Sequence, residues 1–250
     1  MESDIAGAYY AGTSNIVLPM PNKQLFPEAF KDKSRLNYYA SLFNSVEINC
    51  SFYKVALPST IRKWADDVPE NFRFTFKLWR DITHQKGLEF RIEDVERFMQ
   101  VINFAGNKKG CLLIQFPPGI QVNYRHQLET LIGAVRSYDP DNEWKIAVEF
   151  RQRSWYKDTV YEMLEQYNMG IVFHDLPASA TPLTEPITDF VYLRFHGPDG
   201  GYRGSYTDDF LYEYAGYIKD WQQDGKTVYV YFNNTMGDAV KNLVVLNSFM

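Results

Sequence analysis

Apolar and polar residues alternate in short runs along this chain, and stretches of helical spacing separate the runs. Val191, Leu193 and Phe195 take turns with Tyr192, Arg194 and His196, and the run breaks at Gly197-Pro198. Strand side chains point alternately to two faces, so one face here is apolar. The other carries an arginine and a histidine at its carboxyl end. The same pattern predicts strands over 8–14, 45–50, 73–78, 110–116, 144–150, 170–175, 190–196 and 227–233. Between them, Ile61, Trp64, Ala65 and Val68 sit at helical spacing behind Pro58, and Val95, Phe98, Met99 and Ile102 form one stripe. Helices are predicted over 35–43, 59–68, 92–105, 125–137, 157–167, 208–223 and 237–249. After the sixth strand there is only a Pro- and Thr-rich link at 177–189.

Strict alternation of strand and helix means parallel strands with helical crossovers. Eight such units in 250 residues match an α/β fold of the (β/α)8 TIM-barrel type, with the helix after strand 6 short or missing. An open doubly wound sheet is the second reading, and the eightfold count argues against it. No compositional break divides residues 1–250, so a single domain is expected.

Composition narrows the function classes. The net charge of −5 is mild, which makes a general grip on nucleic-acid backbone unexpected. Cys50 and Cys111 stand far apart without metal-ligand spacing and are expected to be buried structural thiols. The opening "MESDIAGAYYAGTS" has acidic residues and no long apolar run, so it does not read as a signal peptide. No stretch approaches the roughly 20 apolar residues of a membrane helix. A cytoplasmic protein without membrane contact is expected, and nothing in the pattern specifies an oligomeric state.

The polar positions then become informative. Glu47 and Asn49 oppose Val46, Ile48 and Cys50; Thr75 and Lys77 oppose Phe74, Phe76 and Leu78; Gln115 opposes Ile114 and Phe116. Glu149 and Arg151 oppose Val148 and Phe150, and the eighth strand ends in Asn233-Asn234. In a barrel the face packed on helices must be apolar, so the polar series falls on the axis. Its charges come late in their strands, at the end where barrel enzymes build their sites. A satisfied layer of ion pairs is the bland alternative, since buried charge is costly unless paired.

Six blocks in order also resemble the DUF72 (YecE-like) family of uncharacterised barrel proteins. They are "FNSVEINCSFYK" (43–54), "FKLWRDITH" (76–84), "LIQFPP" (113–118), "VEFRQRSW" (148–155), "YLRFHG" (192–197) and "VYFNNT" (230–235). The resemblance implies a TIM barrel and leaves the reaction open. Where the family commonly has Gly-Trp after Gly-Thr-Ser, this chain has Asn15-Ile16-Val17, and Cys50-Ser51 stands where Ser-Thr is common.

An enzyme acting on a small anionic or sugar-like (polyhydroxylated) substrate is the leading expectation. Lys77, Glu149 and His196 are its catalytic candidates, with Glu149 as acid or base and His196 or His84 as counterpart. Arg151 and Arg194 suit phosphate or carboxylate, and Gln115, Asn233 and Asn234 suit hydroxyls. Glu47, Asn49, His84, Trp155 and Asp175 complete the expected binding set, with Trp155 placed at the barrel mouth. No cofactor is expected. A divalent metal held by Glu47, Glu149, Asp175 and a histidine is the alternative, as in isomerase or phosphodiesterase-like barrels. A third reading is a non-catalytic module for an anionic metabolite or nucleic-acid end, with Tyr53, Trp79, Trp155, Tyr202 and Tyr206 as stacking surfaces. The stretch "GPDGGYRGSY" (197–206) reads as a flexible loop over the mouth.

Overall fold

The computed structural model describes residues 6–20 and 22–250. The first five residues, part of the opening stretch considered above, and Pro21, in the first loop, lie outside that description. Eight strands, β1 (Tyr9–Thr13), β2 (Ser45–Ile48), β3 (Arg73–Lys77), β4 (Lys109–Gln115), β5 (Lys145–Glu149), β6 (Met169–His174), β7 (Phe190–Phe195) and β8 (Thr227–Phe232), follow one another. All pair in parallel, in the order β1-β8-β7-β6-β5-β4-β3-β2.

The seam between β1 and β2 is short. Ser14 forms a parallel bridge to Glu47, and Asn15 N donates to Glu47 O at 2.7 Å. Gly12 permits this approach, because a Cβ there would lie 2.0 Å from the Ser45 carbonyl oxygen. These contacts make a nearly closed barrel.

The outer helices are α1 (Arg35–Leu42), α2 (Cys50–Tyr53), α3 (Pro58–Asp66), α4 (Arg80–Thr83), α5 (Ile92–Ile102), α6 (Arg125–Ser137), α7 (Asp158–Gln166), α8 (Asp208–Gln223) and α9 (Ala239–Ser248). Local chemistry sets several starts. Pro58 occupies the first turn of α3, Ser34 Oγ accepts from Asn37 N at 2.9 Å to cap α1, and Thr207 caps α8. No helix stands between β6 and β7, in keeping with the Pro- and Thr-rich link. Among the described residues no helix is long and apolar enough to cross a membrane.

The barrel packs on both faces. Outside, Phe74, Phe76, Ile114, Ile146, Val148, Leu193 and Phe232 join the helices in one core. Inside, Tyr10, Cys111, Leu113, Ala147, Val172, Phe190, Tyr192, Tyr229 and Tyr231 form a second, separate core. Tyr231 Oη bonds Ser45 Oγ and Thr75 Oγ1, both at 2.6 Å, so the buried hydroxyls are matched. This tyrosine layer is the floor beneath the charges at the carboxyl end.

One expectation fails for a local reason. Cys111 is buried, whereas Cys50 is exposed because the chain leaves β2 before it and turns into α2.

Candidate functional site

Above the tyrosine floor lies a buried ion cluster. Arg194, on β7, has 1% exposure, and Glu47 and Glu149 have none. The Arg194 fork reaches both oxygens of Glu47, Nε to Oε2 at 2.9 Å and Nη2 to Oε1 at 2.7 Å. Its Nη1 donates to Glu149 Oε2 at 2.9 Å. The remaining lone pairs are met by Ser14 Oγ at 2.5 Å on Glu47 Oε1, by Tyr192 Oη on Glu47 Oε2, and by Arg151 Nε on Glu149 Oε1. Burial alone would raise both carboxyls, but the guanidiniums win. Arg194 lowers Glu47, and Arg151 with Arg194 holds Glu149 well below the usual carboxylate range.

The histidines are fixed in the neutral state. His196 Nε2 lies 3.1 Å from both Arg151 Nη2 and Arg194 Nη1, and guanidinium only donates. Nε2 is therefore the acceptor, which leaves the proton on Nδ1, 3.3 Å from Asp175 Oδ1. Burial pushes His196 down to about 4 against the pull of Asp175. Asp175 also accepts from the His196 backbone N at 2.7 Å and from Tyr206 Oη, which itself accepts from Gly197 N. His174 Nε2 bonds the Phe150 carbonyl at 2.9 Å, and its Nδ1 accepts from Leu176 N at 3.3 Å.

Beside the cluster opens a cavity of about 200 Å³, lined by Asn15, Asn49, Phe52, Tyr53, Lys77, Arg151, Arg194, Tyr202 and Asn233. A shallower cavity of about 490 Å³ adjoins it, walled by Pro118, Leu176 to Ser179 and Asp199 to Gly201, and shares Arg151 and Tyr202 with it. Two residues lining the smaller cavity hold polar groups with no protein partner among the described residues. Asn49 Oδ1 is shielded yet unbonded among the described residues. Lys77 Nζ rests 4.1 Å from the Phe52 ring centroid, with no ion pair among the described residues. Burial first, and Arg194 next, bring the Lys77 amine down to about 7 despite Glu149 and Glu47.

A chain with this fold matches the family model described as "Protein of unknown function DUF72" over residues 10–250. The chain belongs to the DUF72 family. It is 27% identical over 255 residues to the UPF0759 protein YunF of Bacillus subtilis, covering 87% of each. It is 30% identical to the UPF0759 protein YecE of Escherichia coli over 82 residues, 33% of this chain and 30% of that one. A DUF72 family protein of Thermotoga maritima superposes with a TM-score of 0.78 at 25% identity, covering 96% of this chain and 98% of that one. One from Enterococcus faecalis gives a TM-score of 0.78 at 20% identity over 96% and 94%.

This DUF72 barrel brings Glu47, Lys77, Glu149, Arg151, Arg194, His196 and Asp175 together at the carboxyl end, with Asn49 and Asn233 on the cavity wall. Gln115 is nearby but turned to its neighbour, its Nε2 donating to Phe116 O at 2.8 Å. His84 is half-buried beside Phe52, at 4.8 Å between ring centroids, and burial pushes it down to about 4.

Four expected positions move. Trp155 is wholly buried, stacked on Phe150 at 4.6 Å with its Nε1 donating to Ile120 O at 2.7 Å. The turn after β5 folds it under the rim, so it packs there and takes no place at the mouth. Asn234 also leaves the cavity. Its Nδ2 donates to Gly204 O at 3.0 Å and Asn242 Oδ1 at 2.9 Å, tying the loop to α9. Of the aromatic candidates, Tyr53 and Tyr202 line the cavity, Tyr206 is buried on Asp175 and Trp79 packs against the outer core. The 197–206 loop is pinned as well: Tyr202 N donates to His196 O at 2.9 Å and Met236 N to Tyr202 O at 3.0 Å.

Sequence reasoning missed Asn15 and Phe52. Asn15 has φ +62, a left-handed conformation asparagine tolerates, and its Oδ1 accepts from Asn49 N at 3.1 Å. The Gly-Thr-Ser-Asn run at a strand end was the available signal. Phe52 gave none beyond its place after a strand.

Proposed function

We propose that this protein is an enzyme that binds a small anionic or sugar-like substrate in the 200 Å³ cavity. The observation that carries this reading is that residues lining one space hold polar groups without a protein partner among the described residues: Lys77 Nζ, the shielded Asn49 Oδ1 and the Arg151 edge left over from Glu149 and His196. Groups that are half-desolvated and unpaired are costly unless a ligand completes them. The ion cluster behind them acts as a rigid support that aims Arg151. Its carboxylates and guanidiniums are already matched, so it adds little net charge of its own.

A metal-dependent reaction has weaker support. Arg194 stands between Glu47 and Glu149, and all four carboxylate oxygens already accept hydrogen bonds. Among the described residues no group of three or more His, Cys, Asp or Glu side chains is placed to hold a cation.

The test is a thermal-shift titration with phosphate, sulfate and sugar phosphates. A ligand at a hundred times its Kd adds about 2.7 kcal/mol, or roughly 5–10 °C for a chain of this size. The stabilisation is expected to vanish in Arg151→Gln. No shift with any anion, or an equal shift in that variant, would refute the reading.

A further inference from the structure

Lys77 differs from every other polar group on the cavity wall. It closes β3, where the strand hands over to α4, and its amine lies against the Phe52 ring at 4.1 Å. The acids that could serve it are engaged elsewhere. Glu47 is held by Arg194, Ser14 and Tyr192, and Glu149 by Arg151 and Arg194. The amine is therefore largely buried beside two guanidiniums, without a counter-ion among the described residues. With its pKa brought down to about 7 by burial, then by Arg194 and Arg151 against Glu149 and Glu47, it is about half unprotonated at neutral pH. His84, whose own pKa is lowered by burial and then by Lys77, Arg80 and Arg151, stays neutral beside it. A desolvated amine next to cations at a strand's carboxyl end in a barrel is the arrangement that makes lysine a nucleophile.

We propose that Lys77 forms an imine with an aldehyde or ketone whose anionic group is held by Arg151. This rests on the cavity reading above and deepens it by naming the substrate class. The Nζ lone pair forms a bond to the carbonyl carbon, and the C=O π pair moves to oxygen, which takes a proton from solvent at the open mouth. After Nζ has lost one proton, the carbinolamine hydroxyl takes another and leaves as water while the C=N bond forms. Amine, carbonyl and one proton thus give protonated imine and water, with no change of oxidation state. Asn15, Asn49 and Asn233 stand where the hydroxyls of such a substrate would need partners.

Formaldehyde with cyanoborohydride is small enough to reach any amine and reads nucleophilicity without knowledge of the natural substrate. At pH 7, peptide mapping should find Lys77 methylated at least about tenfold faster than the exposed Lys54 and Lys86, since a lysine of ordinary pKa is almost wholly protonated there. Glyceraldehyde 3-phosphate with borohydride should leave its reduced adduct on Lys77, and none should form at that peptide in Lys77→Met. The wild-type rate comparison needs no variant, so a folding failure in Lys77→Met does not blunt it. Lys77 reacting no faster than Lys54 and Lys86 overturns the inference. If phosphate still stabilises the protein in that case, the cavity reading survives alone. Fast labelling of Lys77 without stabilisation by any anion would support the nucleophile and sink the anionic substrate.

Discussion

Arg194 is the side chain on which the buried charges depend. It spans two carboxylates that have no exposure and donates to both. Removing one partner of a buried pair leaves an uncompensated charge, so Arg194→Met should cost about 3–5 kcal/mol in chemical denaturation. Arg194→Lys should recover little of it, because a single ammonium cannot present the fork that Glu47 requires. A loss below about 1 kcal/mol in Arg194→Met would show the cluster to be far better solvated than its burial implies. At this scale the sequence was informative about residue type and strand face. Period-two alternation put Glu47, Lys77, Glu149, Arg194 and His196 on the axis, and each is there. It said nothing about pairing, because Arg194 meets Glu47 across 147 residues and Tyr206 meets Asp175 across 31. Roles depend on those partners: the neutral, doubly approached His196 and the arginine-held Glu149 are poor proton carriers near neutral pH, which shifts attention to Lys77.

The loop after β7 is the element that completes the cavity. Gly197 turns it with φ +102, where a Cβ would lie 2.0 Å from the Arg203 carbonyl oxygen. From there the chain returns to place Tyr202 on the cavity wall and Tyr206 beneath it. Gly197→Ala should cost about 1–3 kcal/mol and free this segment, because both φ and space forbid the methyl group. Limited proteolysis should then cut within 199–204 well before the wild-type loop is cut; equal cutting would mean that the loop does not depend on this turn. Elements with a full period were legible. All eight strands and the seven long helices lie within a few residues of where alternation and helical spacing put them, since burial on one face dictates both patterns. The single-turn helices α2 and α4 were not, because four residues carry no visible period. The same limit explains Cys50 and Trp155. Each lies just past a strand, where the chain's next turn, which alternation cannot describe, decides whether a side chain meets solvent or core.

For the molecule as a whole, the buried charges at one end of the barrel couple stability to acidity. His196 and His84 have folded pKa values near 4, below the ordinary 6.5. Between those values the unfolded chain binds protons that the folded one refuses, so stability is full above about pH 6.5 and falls as pH drops toward 4. Glu47 and Glu149 extend the loss to lower pH, because their folded pKa values lie below 4.5 and the unfolded chain again takes protons first. Lys77 acts on the other side. Its folded pKa of about 7 against 10.5 means that its burial penalty is relieved as pH rises above 7, which adds stability until the buried tyrosines and thiols begin to oppose it. Denaturant midpoints measured from pH 4 to 9 should therefore climb steeply up to about 6.5 and more gently beyond 7. His196→Gln, which keeps an acceptor toward the guanidiniums but cannot titrate, should flatten the acidic limb, and Lys77→Met should flatten the alkaline one. His196→Gln should leave the alkaline limb unchanged, whereas Lys77→Met should also soften the acidic one a little, because Lys77 is one of the charges that lower His84. An acidic limb that keeps its slope in His196→Gln would assign the loss to the carboxylates, His84 and His174, whose pKa burial also lowers, and would mean that His196 is not held neutral by its two arginines.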